Sequence, residues 1–268
     1  MREPSPFEIP EPHPAAFKPR GLALHRWIGS QVELIQTPVT IPDHGLQLSI
    51  AQPSSKARTA LFERARESQE RQLPYWADVW PSGLILASFA LQRRASLASQ
   101  NVLEIGSGLG STAAAVLSTG ARLLALDYSP LALALCRYNS LLNVGTSPRT
   151  LPINWRHPDR RALARLDAAA PFPIIMAADV LYESRDIEPL IGLIERLLVQ
   201  DGELWLSEPG RKVAERFLDT LAGRGWRFTS ATIDFRRPDG DTDPIHIHVL
   251  RRDPPLVLPF STVGGWRI

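Results

Sequence analysis

From Asn101 onward, short apolar runs alternate with amphipathic stretches: "NVLEIG", "STAAAVLST", "ARLLALD", "PLALALCRYNSLLN", "TLPINW", "PIIMAADV", "IEPLIGLIERLLV", "ELWLSEP" and "KVAERFLDTLAGR". Runs that are apolar almost throughout suit strands buried on both faces, and the stretches between them carry helical spacing. The pattern predicts an α/β fold with a mostly parallel sheet covered by crossover helices on both sides. "WRFTSATIDF" and "PIHIHVLR" meet through "RRPDGDTDP" with no helix between them, which predicts an antiparallel final pair.

Upstream the pattern changes. The proline-rich first 20 residues predict an irregular arm, and Gln31 to Gln52 reads as two alternating segments around Asp43-His44-Gly45, a β-hairpin. Residues 54–72 read as a basic helix with a solvated face, and an apolar helix is expected from Ser82 to Leu97 with Ser82 as its N-cap. Thirty basic residues against 28 acidic ones leave a formal charge of +2, too small for a dedicated nucleic-acid binder. No run approaches the roughly 18 apolar residues of a membrane span, so no membrane association is expected. The start lacks an apolar signal region and Cys136 is the single cysteine, which together predict a reducing, cytoplasmic setting.

The first strand ends in "LEIGSGLGSTA", with Gly106, Gly108 and Gly110 at the turn into a helix. Bare backbone there allows positive φ and close approach of N–H groups to a ligand. Asp127 ends the next strand, where a carboxylate can accept both hydroxyls of a ribose, so the pair points to a nucleoside. "GLGSTA" also satisfies the tolerant dinucleotide pattern G-x-G-x-x-A. Three features argue for a different nucleoside. Glu104 at the strand end would repel a pyrophosphate and attract the ammonium of a methionine moiety, about 100 residues precede the motif, and the sheet ends in an antiparallel pair.

"LEIGSGLG" with Asp127 resembles the first motif and acidic loop of class I S-adenosylmethionine-dependent methyltransferases. "YWADVWPSG", "INW" and "ADVLY" are similar to the signatures of methyltransferase family 16, and "SEPGR" resembles the "DPGR" segment of its flavoprotein-directed branch, with Glu208 in place of Asp. The resemblance spans about Tyr75 to Arg224. It implies a Rossmann-like seven-stranded sheet with the last strand antiparallel, S-adenosylmethionine as donor and S-adenosylhomocysteine as product. The division expected is an N-terminal arm, hairpin and helix over 1–72, a methyltransferase domain over 73–253 and a C-terminal tail over 254–268.

Carried over residue by residue, the resemblance places Trp80, the backbone of Ala178, and Trp155 at the cofactor, beside the glycine loop with Ser107. Asn154 stands where the family has an Asp next to the adenine; its amide oxygen can still accept from an exocyclic amine. Asp179 and Tyr182 occupy a D-x-x-Y motif facing the acceptor and are the expected catalytic pair. Lysine has a pKa near about 10.4, so a site that methylates it must orient and desolvate an ammonium and favour its neutral form. The implied function is N-methylation of a protein lysine, on an electron transfer flavoprotein β subunit or a ribosomal protein, without metal; the proline-rich ends and the lack of a self-complementary apolar stripe predict a monomer. A small-molecule amine acceptor and a non-catalytic nucleoside- or nucleic-acid-binding domain stand as alternatives. His246 and His248 share a strand face without a third ligand and read as structural. "NPPY" and "DPPY" are absent at the fourth strand, which weighs against methylation of nucleic-acid bases.

Overall fold

The computed structural model describes residues 14–68, 72–237 and 240–252. Helix α1 (Pro14–Gly29) leads into the hairpin β1 (Leu34–Ile41) and β2 (Leu46–Pro53), then α2 (Ser55–Glu67), a 3₁₀ turn (Tyr75–Ala77), α3 (Pro81–Gln92) and α4 (Arg94–Leu97). The alternating part comprises β3 (Asn101–Ile105), α5 (Ser111–Ser118), β4 (Arg122–Asp127), α6 (Pro130–Val144), β5 (Arg149–Pro152), α7 (Arg160–Ala169) and β6 (Phe172–Ala178). It continues through α8 (Ile187–Leu197), β7 (Leu198–Glu208), α9 (Lys212–Gly223), β8 (Trp226–Arg236) and β9 (Thr242–Arg252).

Among the described residues, one sheet has seven strands in the order β5-β4-β3-β6-β7-β9-β8. Strand β3 pairs in parallel with β4 and β6, β6 with β7, and β9 lies antiparallel between β7 and β8, as the sequence pattern predicts. Period-two alternation divides the core between the two faces. Val102, Leu123, Ala125, Ile174, Met176 and Trp205 join residues of α3, α5 and α6 in one cluster, while their neighbours Leu103, Leu124, Leu126, Ile175, Leu204 and Leu206 join α7, α8 and α9 in the other. Both faces are therefore apolar, and each fully buried Leu or Ile contributes about 1.5–3 kcal/mol. Strand order reverses between β3 and β6, so the crevice of this sheet opens beyond the carboxyl ends of those two strands.

Several local expectations need correction. The arm expected to be irregular through residue 20 is helical from Pro14, with Pro19 in its second turn. Burial outweighs the lost hydrogen bond, because Ile28 is fully buried in a cluster with the hairpin and α6, and His25 lies 5.6 Å from the Tyr138 ring. Ser82 is not a cap. Trp80 holds that position and Pro81 begins α3, its missing N–H costing nothing there. The helix expected to run to Leu97 breaks at Arg93. Helix α7 was not expected at all; Ala162, Leu163, Leu166 and Ala169 do fall at helical spacing and pack on the sheet, but the arginines between them make the stretch polar overall. The rest of the expected arm (1–13), residues 69–71 of the basic helix, and the tail over 254–268 lie outside the described residues.

The hairpin is fastened by two asparagines one turn apart on α6. Asn139 accepts from the Ala51 N–H (2.8 Å) and donates to the Ala51 carbonyl (3.0 Å), and Asn143 does the same with Ser49 (2.7 and 3.0 Å). The amides thus act as a surrogate strand, satisfying backbone groups that a buried hairpin edge would otherwise orphan. Asn139 also donates to the Leu109 carbonyl (2.9 Å), so the same side chain ties the hairpin to the glycine loop.

Candidate active site

The ends of β3, β4, β6 and β7 surround a cavity of about 360 Å³, within the range of small-molecule sites. At its β3–β4 end the backbone does most of the work. Gly106, Gly108 and Gly110 all have positive φ (74°, 49° and 83°). A Cβ on Gly106 would stand 2.7 Å from Val180 Cγ1, and one on Gly110 would meet Cys136 at the same distance. Asp127 accepts from the Gly108 N–H (3.0 Å) and the Ser129 N–H (2.9 Å), which fixes both carboxylate oxygens at the mouth of the loop. Burial pushes its pKa up to about 6 against the pull of those N–H donors. Glu104 is pushed further, to about 8, first by burial and then by the Asp127 charge, with the Thr112 hydroxyl opposing. Its Oε2 is buried without a hydrogen-bond partner at the cavity wall.

The β6–β7 end is built from side chains. Asp179 follows β6 with φ +53°, an uncommon conformation for a non-glycine, held by its N–H donating to the Ser207 carbonyl (2.8 Å). Its Oδ1 stands 2.8 Å from the Arg211 guanidinium, a charge contact off the line of a hydrogen bond. Burial raises the Asp179 pKa, Arg211 opposes this, and Glu208 adds to it. Tyr182 stacks on Tyr75 with centroids 4.6 Å apart and 16° between planes, and Arg211 lies over the Tyr182 ring at 4.7 Å. Burial, with the charge of Asp179, keeps the Tyr182 hydroxyl protonated. Trp80 closes the row edge-on to Tyr75 at 6.3 Å, its indole N–H donating to the Tyr75 carbonyl (2.7 Å).

Trp80, Glu104, Gly106, Ser107, Gly108, Asp127, Asn154, Trp155, Ala178, Asp179 and Tyr182 therefore share one cavity. Gly110 does not line it. As the N-cap of α5 it lets that helix pack against Cys136 of α6, a steric role rather than a contact role. Asn154 spends an amide-oxygen lone pair on the Arg156 N–H (3.0 Å), and Trp155 donates to Asp186 (2.9 Å), which also pairs with Arg156 at 2.5 Å. Sequence reasoning did not single out Tyr75, Arg211 or the Arg156–Asp186 pair. The first two lie inside quoted motifs, "YWADVWPSG" and "SEPGR"; the last has no local signature because its partners are 30 residues apart. Of the two strand histidines, His248 reaches Ser230 (2.7 Å) and Glu208 (3.4 Å), and His246 reaches Thr232 (2.9 Å).

Sheet order and the position of the cavity define a class I methyltransferase fold. A solved relative in shape, the precorrin-6y C5,15-methyltransferase of Geobacter metallireducens GS-15, superposes with a TM-score of 0.50 at 16% identity, covering 62% of this chain and 87% of that one. The likeness shows the fold alone. The lysine methyltransferase family model matches residues 66–224, more than half of the chain, and the chain belongs to that family. It is an S-adenosylmethionine-dependent methyltransferase, which sets aside the non-catalytic reading. The human histone-arginine methyltransferase METTL23 is 28% identical over 171 residues, 62% of this chain and 87% of that protein. The mouse electron transfer flavoprotein beta subunit lysine methyltransferase is 41% identical over 140 residues, 52% of this chain and about half (51%) of that one. Among the described residues no helix is long and apolar enough to cross a membrane.

Proposed function

We propose that this enzyme methylates a lysine amine of a protein, with a protein resembling the electron transfer flavoprotein β subunit or a ribosomal protein as the first acceptors to try. A cytoplasmic monomer without metal is the form proposed. The observation that carries the reading is the shared cavity: an unpartnered buried carboxylate, a glycine loop and Asp127 at one end, an Asp–Tyr–Tyr wall at the other, in a member of the lysine methyltransferase family.

The residues present suit S-adenosylmethionine. Glu104 offers an unpaired carboxylate oxygen to an ammonium, Asp127 retains lone pairs for ribose hydroxyls, and Gly106, Ser107 and Gly108 allow close approach of backbone. Trp80, Asn154, Trp155 and the backbone of Ala178 complete the proposed cofactor surface. When bound, S-adenosylmethionine supplies an electrophilic methyl group on its sulfonium sulfur and leaves as S-adenosylhomocysteine. The chain's own task is then to present a neutral nitrogen in line. Asp179 and Tyr182 orient the acceptor, and Tyr75, stacked on Tyr182, supplies a π face.

The test is radiolabelled methyl transfer into cell extract, followed by proteinase or nuclease treatment and mapping of the labelled residue by mass spectrometry. Label removed by proteinase and carried on methyl-lysine is the expected result. Label on methylarginine would redirect the acceptor class, and label only in small molecules would favour a free amine.

A further inference from the structure

Arg211 is the feature of the site that neither the cofactor nor the acceptor reading uses. It is aimed with care. Glu208 accepts from the N–H groups of Gly210 (2.6 Å) and Arg211 (2.9 Å), fixing the turn after β7, and Gly210 reaches φ +80° there. Burial opposes ionisation of Glu208, yet His248 and these two N–H donors hold its carboxyl below the usual range. The turn delivers the guanidinium between the Asp179 carboxylate and the Tyr182 ring, with its Nε buried and unpartnered. A permanent cation thus sits where the substrate's cation would be expected to go.

Resting on the lysine reading above, we infer that Arg211 is a charge-setting residue: it neutralises Asp179 so that the acceptor pocket orients an amine without stabilising its ammonium. A free carboxylate beside the acceptor would raise the ammonium's pKa and hold the unreactive form, whereas a nearby cation lowers it. The step concerned is loss of a proton. One ammonium N–H bond breaks, the proton passes to water, and the electron pair stays on nitrogen. Other charged groups facing the pocket do not replace this effect. Asp127 and Glu208 are anchored by backbone N–H groups, Asp78 is paired with Arg58, Arg156 is held by Asp186 and Glu183, Glu183 also meets Arg185, Glu104 lies at the β3 end beside Asp127, and the Tyr182 hydroxyl stays protonated.

The experiment compares wild type with Arg211→Met and Arg211→Lys, using as acceptor the protein that takes label from cell extract, purified and supplied above and below saturation. The profile of kcat against pH reports the bound complex, and that of kcat/KM the free reactants. In Arg211→Met the rising limb of kcat moves up by about one pH unit or more. KM for the acceptor falls near pH 7 because the freed Asp179 grips the ammonium, and the limb of kcat/KM stays at the free-lysine value. Arg211→Lys keeps the charge and restores most of the wild-type profile. Cofactor affinity by calorimetry is unchanged in both variants, which also shows that they fold. A uniform loss of kcat with an unmoved limb, or a rise in KM, overturns the inference and leaves Arg211 a shape-filling residue. Absence of protein label with wild type overturns instead the lysine reading on which it stands.

Discussion

The two ends of the cavity are made in opposite ways. At the β3–β4 end, Glu104, the glycines and Asp127 lie within 24 residues of sequence, and the decisive contacts are backbone N–H groups and the absence of Cβ atoms. At the β6–β7 end, Asp179, Tyr182 and Arg211 are joined by Tyr75 from a segment more than 100 residues earlier, and the contacts among the four are made by side chains. The first end can be written as a local motif; the second exists only once the sheet has assembled. The difference suits the proposed roles, since a cofactor shared across a fold needs a fixed cradle and an acceptor site must be adjustable by substitution.

The comparison breaks most sharply on two aspartates. In Asp127→Ala, cofactor affinity falls about 100-fold or more, because ribose contacts are lost and two loop N–H groups lose a charged partner. In Asp179→Ala, cofactor affinity stays within a few fold while turnover falls about 100-fold, the cost of misplacing an acceptor. Isothermal calorimetry and single-turnover methyl transfer separate the two. If both variants lose affinity equally, the ends are not functionally distinct.

The same contrast explains what could be read in advance. The sheet was legible because both of its faces are covered, so the strands are apolar throughout, and because its last pair has no room for a helix. Gly106, Gly108 and Asp127 were legible because the motif is contiguous; Gly110 belonged to the same pattern, yet its reason is the approach of α6 through Cys136, which no spacing within the motif encodes. Helix α7 escaped because its short apolar stripe is set among arginines that make the stretch polar overall, and α1 because prolines outweighed a sparse apolar stripe. Arg211 stood inside a recognisable string without declaring its partner, since Asp179 lies 32 residues earlier and meets it only across adjacent strand ends.

Asn139 sharpens the comparison, being a side chain that ties the glycine loop to the distant hairpin. Asn139→Ala removes three buried hydrogen bonds and leaves the Ala51 N–H and the Ala51 and Leu109 carbonyls without that partner. A loss of about 2–4 kcal/mol is expected in urea unfolding, together with a raised KM for the cofactor as the loop loosens. Asn143→Ala, whose hairpin bonds are less buried and which does not touch the loop, costs less and leaves that KM alone. Equal effects of the two on KM would detach the hairpin from the cofactor site.

The smallest effect comes from Glu104, and its sign is the informative part. Its pKa in the folded, cofactor-free protein is about 8 against an ordinary 4.5, so between those values the folded state keeps a proton that the unfolded state has lost. Stability contributed below pH 4.5 is therefore lost as pH rises through 8. Asp127 acts in the same direction but only between about 4 and 6, and the buried Cys136 thiol adds to it only toward pH 9, so the window from pH 6.5 to 8.5 reports mainly Glu104. Glu104→Gln is expected to make the free protein more stable at pH 9 by on the order of 1–3 kcal/mol, the gain shrinking toward pH 5. Binding an ammonium beside Glu104 demands the carboxylate, so cofactor binding by wild type releases a proton near pH 7, and affinity climbs with pH until about 8. Calorimetry in buffers of different ionisation enthalpy counts that proton. The Gln variant should bind more weakly and release none; a wild type that releases none would place the ammonium away from Glu104 and leave the cradle to its backbone and Asp127.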